Sequence, residues 1–459
     1  GVRRKKKRAR RRQKAGKRRR RGEEARKRLR VVADLHIHSK YSRATSKKMD
    51  VEHITVFAQL KGLTVVGTGD CTHPAWLREL RAWLEEEDDT GLYGPVKPEG
   101  SPVRFMTTGE VCTVSESDVD GRVHRIHHVL LLPSLEAAEQ VNDRLARFGD
   151  LSSDGRPTLA MSPAELVEEV LEACPEAEVI PAHAWTPWFS LFGAFSGFDR
   201  LEDCYEDMTS HIHALETGLS SDPPMNWRVS ALDRLTLVSN SDSHSFYPWR
   251  IGREANVFEL EPDELSYRAI VEAIRRKDRG RFLMTIEVDP RYGKYHWSGH
   301  RRCGVALPPE EAMRLGNRCP ICGRPLTKGV EQRVEELADR PPGFRPEGAI
   351  GFVHLLPLSE VIMRAVGASG PRDEKVWRTY KALVGKFGDE YSVLLDAEPE
   401  ALRAVAGDAV ADAILRVREG RVKIIPGYDG VYGQIDIFEE GSPEPRRPAR
   451  GQLSLLDFI

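Results

Sequence analysis

Between residues 31 and 290 short apolar runs alternate with amphipathic stretches of helical period. Val31-Val-Ala-Asp-Leu leads as a buried strand, and Leu63-Thr-Val-Val-Gly67 reads as another. Pro74 opens a helix reaching Leu84, in a first turn where its missing N–H does no harm. Residues 103–116 and 122–132 predict two strands joined by a turn at Val119-Asp-Gly121. Ser162-Pro-Ala-Glu-Leu starts a further helix. Glu178-Val-Ile-Pro-Ala, Ala214-Leu-Glu-Thr and Leu235-Thr-Leu-Val-Ser are short strands. Such alternation predicts an α/β barrel over 31–290. A doubly wound open sheet is the other solution, but no Gly-rich phosphate loop supports it. The pattern breaks over 291–330 into an Arg-rich segment with Cys and His. Residues 331–440 are expected to be mainly helical, and a Pro/Arg-rich linker leads from Gly441 into the last nine residues.

The 459 residues exceed one simple core and imply roughly two to four units. No apolar run approaches the ~18–20 residues a membrane helix needs, so a cytoplasmic, nucleoid-associated protein is expected. The formal net charge of −1 conceals an asymmetry: residues 1–30 carry 19 Lys/Arg against Glu23 and Glu24. A basic arm of this kind is expected to be disordered. Either it binds polyanions or it is a solvated extension. Seven cysteines, an odd number, argue for a reducing compartment rather than a disulfide framework.

The chemistry gathers at strand ends. His36 and His38 follow the first strand at i and i+2, so both face one side, and neutral imidazole suits several divalent metals. Asp70 follows the second strand, with His73 three residues on. Glu110, His128 and His183 fall in or after later strands, and Asp242 and His244 close Ser239-Asn-Ser-Asp-Ser-His244. Singly, each residue could be a cap or a satisfied loop group. Together they converge on the mouth where barrels place their chemistry, and their number exceeds the needs of one ion. A two- or three-metal cluster suits phosphoryl displacement.

The order His-x-His, Asp70, Glu110, His128, Ala-His183, Ser-Asp-Ser-His244 resembles the polymerase-and-histidinol-phosphatase (PHP) domain, a distorted (β/α)7 barrel with a trinuclear centre. The amidohydrolase barrel also begins with His-x-His, but it adds a bridging lysine and ends in a lone aspartate. By the PHP resemblance His36, His38, Glu110 and Asp242 hold one ion. Glu110, His128 and His183 hold a second, while Asp70, His73 and His244 serve a third. Zinc, manganese, iron and magnesium are not distinguished. The chain departs from the family where Cys71 and Thr72 separate Asp70 from His73, which usually are adjacent.

His300-Arg-Arg-Cys303 and Cys319-Pro-Ile-Cys322 have zinc-ribbon spacing, a Cys3His set that fills a structural zinc site. Pro399–Ile414 resembles a degenerate helix–hairpin–helix turning at Gly407, and a plain helical hairpin remains open. At the terminus Gln452, Leu453, Leu455, Leu456, Phe458 and Ile459 resemble a peptide that docks on a DNA sliding clamp, bacterial β or PCNA-type. The alternative is a tail folded back on its own domain. PHP barrel, zinc ribbon, helical region and clamp peptide in this order resemble the endonuclease Q family of DNA-repair enzymes. The resemblance implies metal-dependent hydrolysis of the phosphodiester 5′ of deaminated bases or abasic sites, leaving 3′-hydroxyl and 5′-phosphate ends. Lys40, Arg43, Lys47 and Lys48 are candidates to hold DNA, and Trp185, Trp188 and Phe189 to line a pocket for an everted base. A small-molecule phosphatase or amidohydrolase, and a non-catalytic clamp-bound adaptor, are the competing classes.

Overall fold

The computed structural model describes residues 28–438. The basic arm up to residue 27, the linker after 438 and the clamp-like peptide lie outside the described residues. The fold is mixed α/β around an eleven-stranded sheet. Strand β1 (Leu29–Asp34) pairs in parallel with β2 (Val65–Gly67), which in turn pairs in parallel with β5 (Arg104–Glu116). The hairpin β3 (Leu84–Glu86) and β4 (Leu92–Pro95) lies along β5. The long hairpin of β5 and β6 (Val123–Leu132) continues the sheet, flanked by β7 (Thr158–Leu159) and β8 (Glu178–Pro181). A parallel pair, β9 (Ala214–Glu216) and β10 (Thr236–Val238), stands apart from it. On the other side of β1 run β11 (Ala255–Leu260) and β12 (Phe282–Glu287), both antiparallel.

The local sequence explains the helix starts. Asp50, Ser134 and Ser162 accept from the first-turn amides of the helices Val51–Lys61, Leu135–Leu145 and Pro163–Ala173. Ser162 and Glu165 form a reciprocal capping box. Such caps contribute about 1 kcal/mol each; burial of the apolar faces supplies most of the rest.

The region beyond 291 holds a hairpin, β13 (Ser298–His300) with β14 (Val305–Leu307), and then helices. Within 331–440, expected to be mainly helical, a segment is instead the strand β15 (Gly351–His354), which joins the main sheet in parallel beside β12. Phe352, Val353 and the neighbouring Ile350 lack helical periodicity and find an open sheet edge. The helices Leu358–Val366, Glu374–Phe387, Pro399–Ala406 and Asp408–Arg418 pack together. Gly407, at φ 80°, makes the tight turn between the last two, a conformation glycine adopts without a Cβ clash. Lys61, the last residue of the helix Val51–Lys61, ties this region to that helix: fully buried, it donates to Glu390 at 2.7 Å and to the Pro248 carbonyl at 2.6 Å. Among the described residues no helix is long and apolar enough to cross a membrane.

Candidate metal centre

Beyond β1 the alternation continues through Leu35, His36, Ile37 and His38. Leu35 and Ile37 enter the apolar core, while both imidazoles turn into a polar hollow. Ile37 bridges to Ser243, which brings the loop carrying Asp242 alongside. Glu110, fully buried in β5, stands between two groups of donors. Its Oε2 lies 3.2 Å from His36 Nε2 and 3.0 Å from His38 Nε2, and Asp242 Oδ1 completes that set at 3.0 Å from His38 Nε2. Its Oε1 lies 2.9 Å from His127 Nδ1 and 3.1 Å from His183 Nε2. Within each set, His36–His38–Glu110–Asp242 and Glu110–His127–His183, the donor atoms all lie within 4.8 Å of one another.

Supporting groups fix the rings. Glu216, at the end of β9, accepts from His36 Nδ1 at 3.0 Å and from the His183 amide at 2.9 Å. Asp70 accepts from His38 Nδ1 at 3.0 Å and from the amide and hydroxyl of Ser39. Asp70, His183 and Asp242 all have left-handed backbones, with φ of 48°, 32° and 48°. Strain of this kind persists where surrounding contacts impose it.

Burial opposes charge throughout the hollow, but the paired groups overcome it. Against desolvation, Glu216, Glu110 and Asp242 raise His36 well above its ordinary value. Burial pushes Glu110 up, yet His127, His36 and Arg156 hold it well below the carboxylate range. His127 is brought down to about 4 by burial, so at neutral pH its contact with Glu110 is a hydrogen bond from a neutral ring. With His127 neutral and Glu110 charged, this pair is in the form that binds a cation, whereas His36 must give up its proton to do so.

The structure distributes the sequence-predicted residues unevenly. His36, His38, Glu110, His183 and Asp242 come together. His128 does not: His127 occupies the place expected for it. In the β5–β6 register Glu110 lies opposite Val129 and Cys112 opposite His127, so His127 shares Glu110's face and His128 takes the other. His128 is buried against Tyr205, its ring nitrogens without hydrogen-bond partners. Nor do Asp70, His73 and His244 meet as a third set. Asp70 supports His38; His73 caps the helix Pro74–Trp83 and reaches the Ser152 carbonyl at 3.1 Å. The two residues between Asp70 and His73 turn the chain away. His244 stacks on His38 with its Nε2 3.6 Å from Asp242.

A cavity of about 420 Å³ opens beside the second set, lined by Arg43, Cys112, His127, Arg156, Trp188 and Phe189 among others. Trp185 is not there. It is fully buried, donates to Asn226 at 2.7 Å and packs on Phe192. Lys40 is paired with Glu79, and Lys47 and Lys48 are exposed.

The crystal structure of the lesion-specific endonuclease PfuEndoQ from Pyrococcus furiosus is 35% identical, with a TM-score of 0.78, over 89% of this chain and 95% of that one. The chain belongs to the endonuclease Q family. An endonuclease Q bound to a 27-mer duplex with an abasic lesion at its active site matches equally, at 35% identity and TM-score 0.77 over 89% and 96% of the two chains. The MJ0043 C-terminal domain model matches residues 357–421. The uncharacterized protein MJ0043 of Methanocaldococcus jannaschii is 34% identical over 261 residues, 56% of this chain. That match spans 31% of MJ0043's own length.

The chain also assembles His300, Cys303, Cys319 and Cys322 into a third group of donors, with His300 Nδ1 3.5 Å from Cys322 Sγ. Burial raises Cys319, but the amides of Cys322 and Ile321 outweigh it and bring the thiol down to about 7. The surrounding core is small: Val305, Leu307, Ala312, Cys319 and Leu326.

Sequence reasoning missed three residues. Glu216 ends a buried strand, the signal that marked His36, and was legible. His127 depended on a register that composition does not reveal. Arg156 sits in the loop Ser152–Arg156, where no periodicity marks it.

Proposed function

We propose that this endonuclease Q family member is a metal-dependent DNA-repair endonuclease. It hydrolyses the phosphodiester 5′ of a deaminated base (hypoxanthine, uracil or xanthine) or an abasic site, leaving 3′-hydroxyl and 5′-phosphate ends. The observation that carries the reading is Glu110, one oxygen turned to each set of donors, the arrangement of a carboxylate shared by two cations. The donor set fits such ions: imidazoles and carboxylates crowd one hollow, and His36 Nε2, though 3.2 Å from Glu110, makes no aligned hydrogen bond. His36, His38 and Asp242 with Glu110 would hold one ion; His127 and His183 with Glu110 would hold the other. Divalent metal held by these residues would supply water activation and charge neutralisation at the phosphate. His244 and Asp70 flank the first set, with Asp70 and Glu216 orienting its imidazoles.

Trp188 and Phe189, both partly exposed at the cavity rim, would stack on an everted base, while Arg43 and the exposed Lys47 and Lys48 meet the backbone. We place a structural zinc on His300, Cys303, Cys319 and Cys322, since four ligands leave no open position. We read the main sheet with β9 and β10 as a distorted barrel. The Ala184 amide bonds to Glu216 at 3.0 Å, and Asn240 and Asn256 bridge β10 to β1 and β11 by side chain. The peptide from Gln452 to Ile459 is proposed to dock on a sliding clamp.

The test is a duplex carrying one deoxyinosine or abasic site, incubated with full-length protein with and without Mn²⁺ or Mg²⁺. A single metal-dependent nick 5′ of the lesion is expected. Rapid phosphate release from a monoester with no nick points to a small-molecule phosphatase, and no hydrolysis of any ester to an adaptor; either result ends the proposal.

A further inference from the structure

The loop 151–157 presses on the metal centre and carries one cation, Arg156. Its Nη1 lies 3.4 Å from Glu110 Oε2, the oxygen that also faces His36 and His38. Glu110 is the sole carboxylate within ion-pair distance of Arg156 among the described residues. The side chain is 29% exposed, opening into the 420 Å³ cavity.

The backbone around Arg156 is pinned on both sides. The Gly155 amide donates to the Tyr41 carbonyl at 3.1 Å, the Arg156 amide to Asp154 Oδ1 at 3.0 Å, and the Cys112 amide to the Pro157 carbonyl at 2.9 Å. Gly155 has no room for a side chain: a Cβ there would lie 2.2 Å from Asp70 Oδ2 and 2.3 Å from Ser42 Oγ. The loop is therefore seated against the residue that orients His38.

A guanidinium held beside a carboxylate that two cations share is placed unfavourably unless a further anion joins it. Cations held there would compete for Glu110's lone pairs and would repel the guanidinium, which lines the cavity. The anion that the reaction brings is the scissile phosphate.

We propose that Arg156 is a catalytic residue: it donates to a non-bridging oxygen of the phosphodiester and stabilises the charge gathered there as the water O–P bond forms and the P–O3′ bond breaks. The departing 3′ oxygen takes up a proton, and the water's proton loss balances it. This rests on the nuclease reading above. Fixed donors aimed at developing charge contribute most when, as here, they need no rearrangement.

The experiment measures single-turnover nicking of an abasic-site duplex by full-length wild type, Arg156→Gln, Arg156→Lys and Arg156→Ala, with Mn²⁺. Bound metal is quantified in each. Arg156→Gln is expected to slow cleavage by about 10²–10³-fold while DNA affinity and metal content stay near wild type. Arg156→Lys should keep part of the rate, and Arg156→Ala should regain rate with added guanidinium but not with equal KCl. Unchanged cleavage, loss in step with lost metal, or no guanidinium rescue would overturn the assignment. The same variants are assayed on bis(4-nitrophenyl) phosphate. If wild type ignores DNA yet hydrolyses this ester faster than Arg156→Gln, the DNA reading fails and Arg156 stands. If wild type hydrolyses neither, both fall.

Discussion

Neighbouring histidines on β6 should behave as opposites. His127 faces Glu110 and His183; His128 is buried on the far face, burial bringing it down to about 3. Replacing His127 by Ala removes one of three donors from the second set. Loss of a residue that merely orients a ligand weakens binding about 10–100-fold, so loss of a donor should weaken it by at least that. Replacing His128 by Leu removes no donor, and it deletes two buried nitrogens without partners, each of which costs ~1–3 kcal/mol. His128→Leu should thus be as stable as wild type or more so at pH 7.5. Acid separates them further. Below about pH 6.5 the unfolded chain protonates His128 while the folded chain, at about 3, does not. Wild-type stability therefore falls as pH drops through this window, by about 1.4 kcal/mol per unit. Between pH 7.5 and 5 that is roughly 2 kcal/mol which His128→Leu should retain. Urea denaturation at the two pH values, with elemental analysis of each variant after gel filtration, reads all of this. Should His128→Leu lose metal while His127→Ala keeps it, the β6 register and the centre built on it are wrong.

Four further outcomes are expected. Asp242→Asn, which removes the donor 3.0 Å from His38, should abolish nicking while duplex binding in a mobility-shift assay stays within a few-fold. Glu216→Gln, which weakens the hold on His36 and His183, should lower metal affinity at the Glu110 centre by about 10–100-fold in a chelator competition; affinity equal to wild type would remove Glu216 from the support. Cys319→Ser should lower bound zinc by one equivalent and expose 298–328 to limited proteolysis, because a five-residue core cannot hold that segment without its ion. Removing Gln452–Ile459 should leave intrinsic cleavage unchanged and end any stimulation by a sliding clamp; equal clamp binding by the truncated chain would assign the tail another role.

Local sequence alone determined where donors begin. His36 and His38 had to share a face because strand side chains alternate, and the apolar run before them had to be buried. Capping residues and Pro74 set helix starts within a residue or two, since those preferences act within one turn. The Cys319-Pro-Ile-Cys322 turn was equally legible, its geometry being local. Tertiary structure decided the rest. Which of His127 and His128 meets Glu110 depends on pairing across a hairpin of ten residue pairs, where a slip by one exchanges the faces. From Ile126 onward both faces of β6 are buried, so hydrophobic pattern could not choose between them. Trp185 went into the core and Trp188 to the rim for a reason equally non-local: Asn226, forty-one residues away, receives the Trp185 indole N–H. Arg156 reaches Glu110 only because a loop docks on Asp70 and Ser42, contacts between segments that no window of sequence contains.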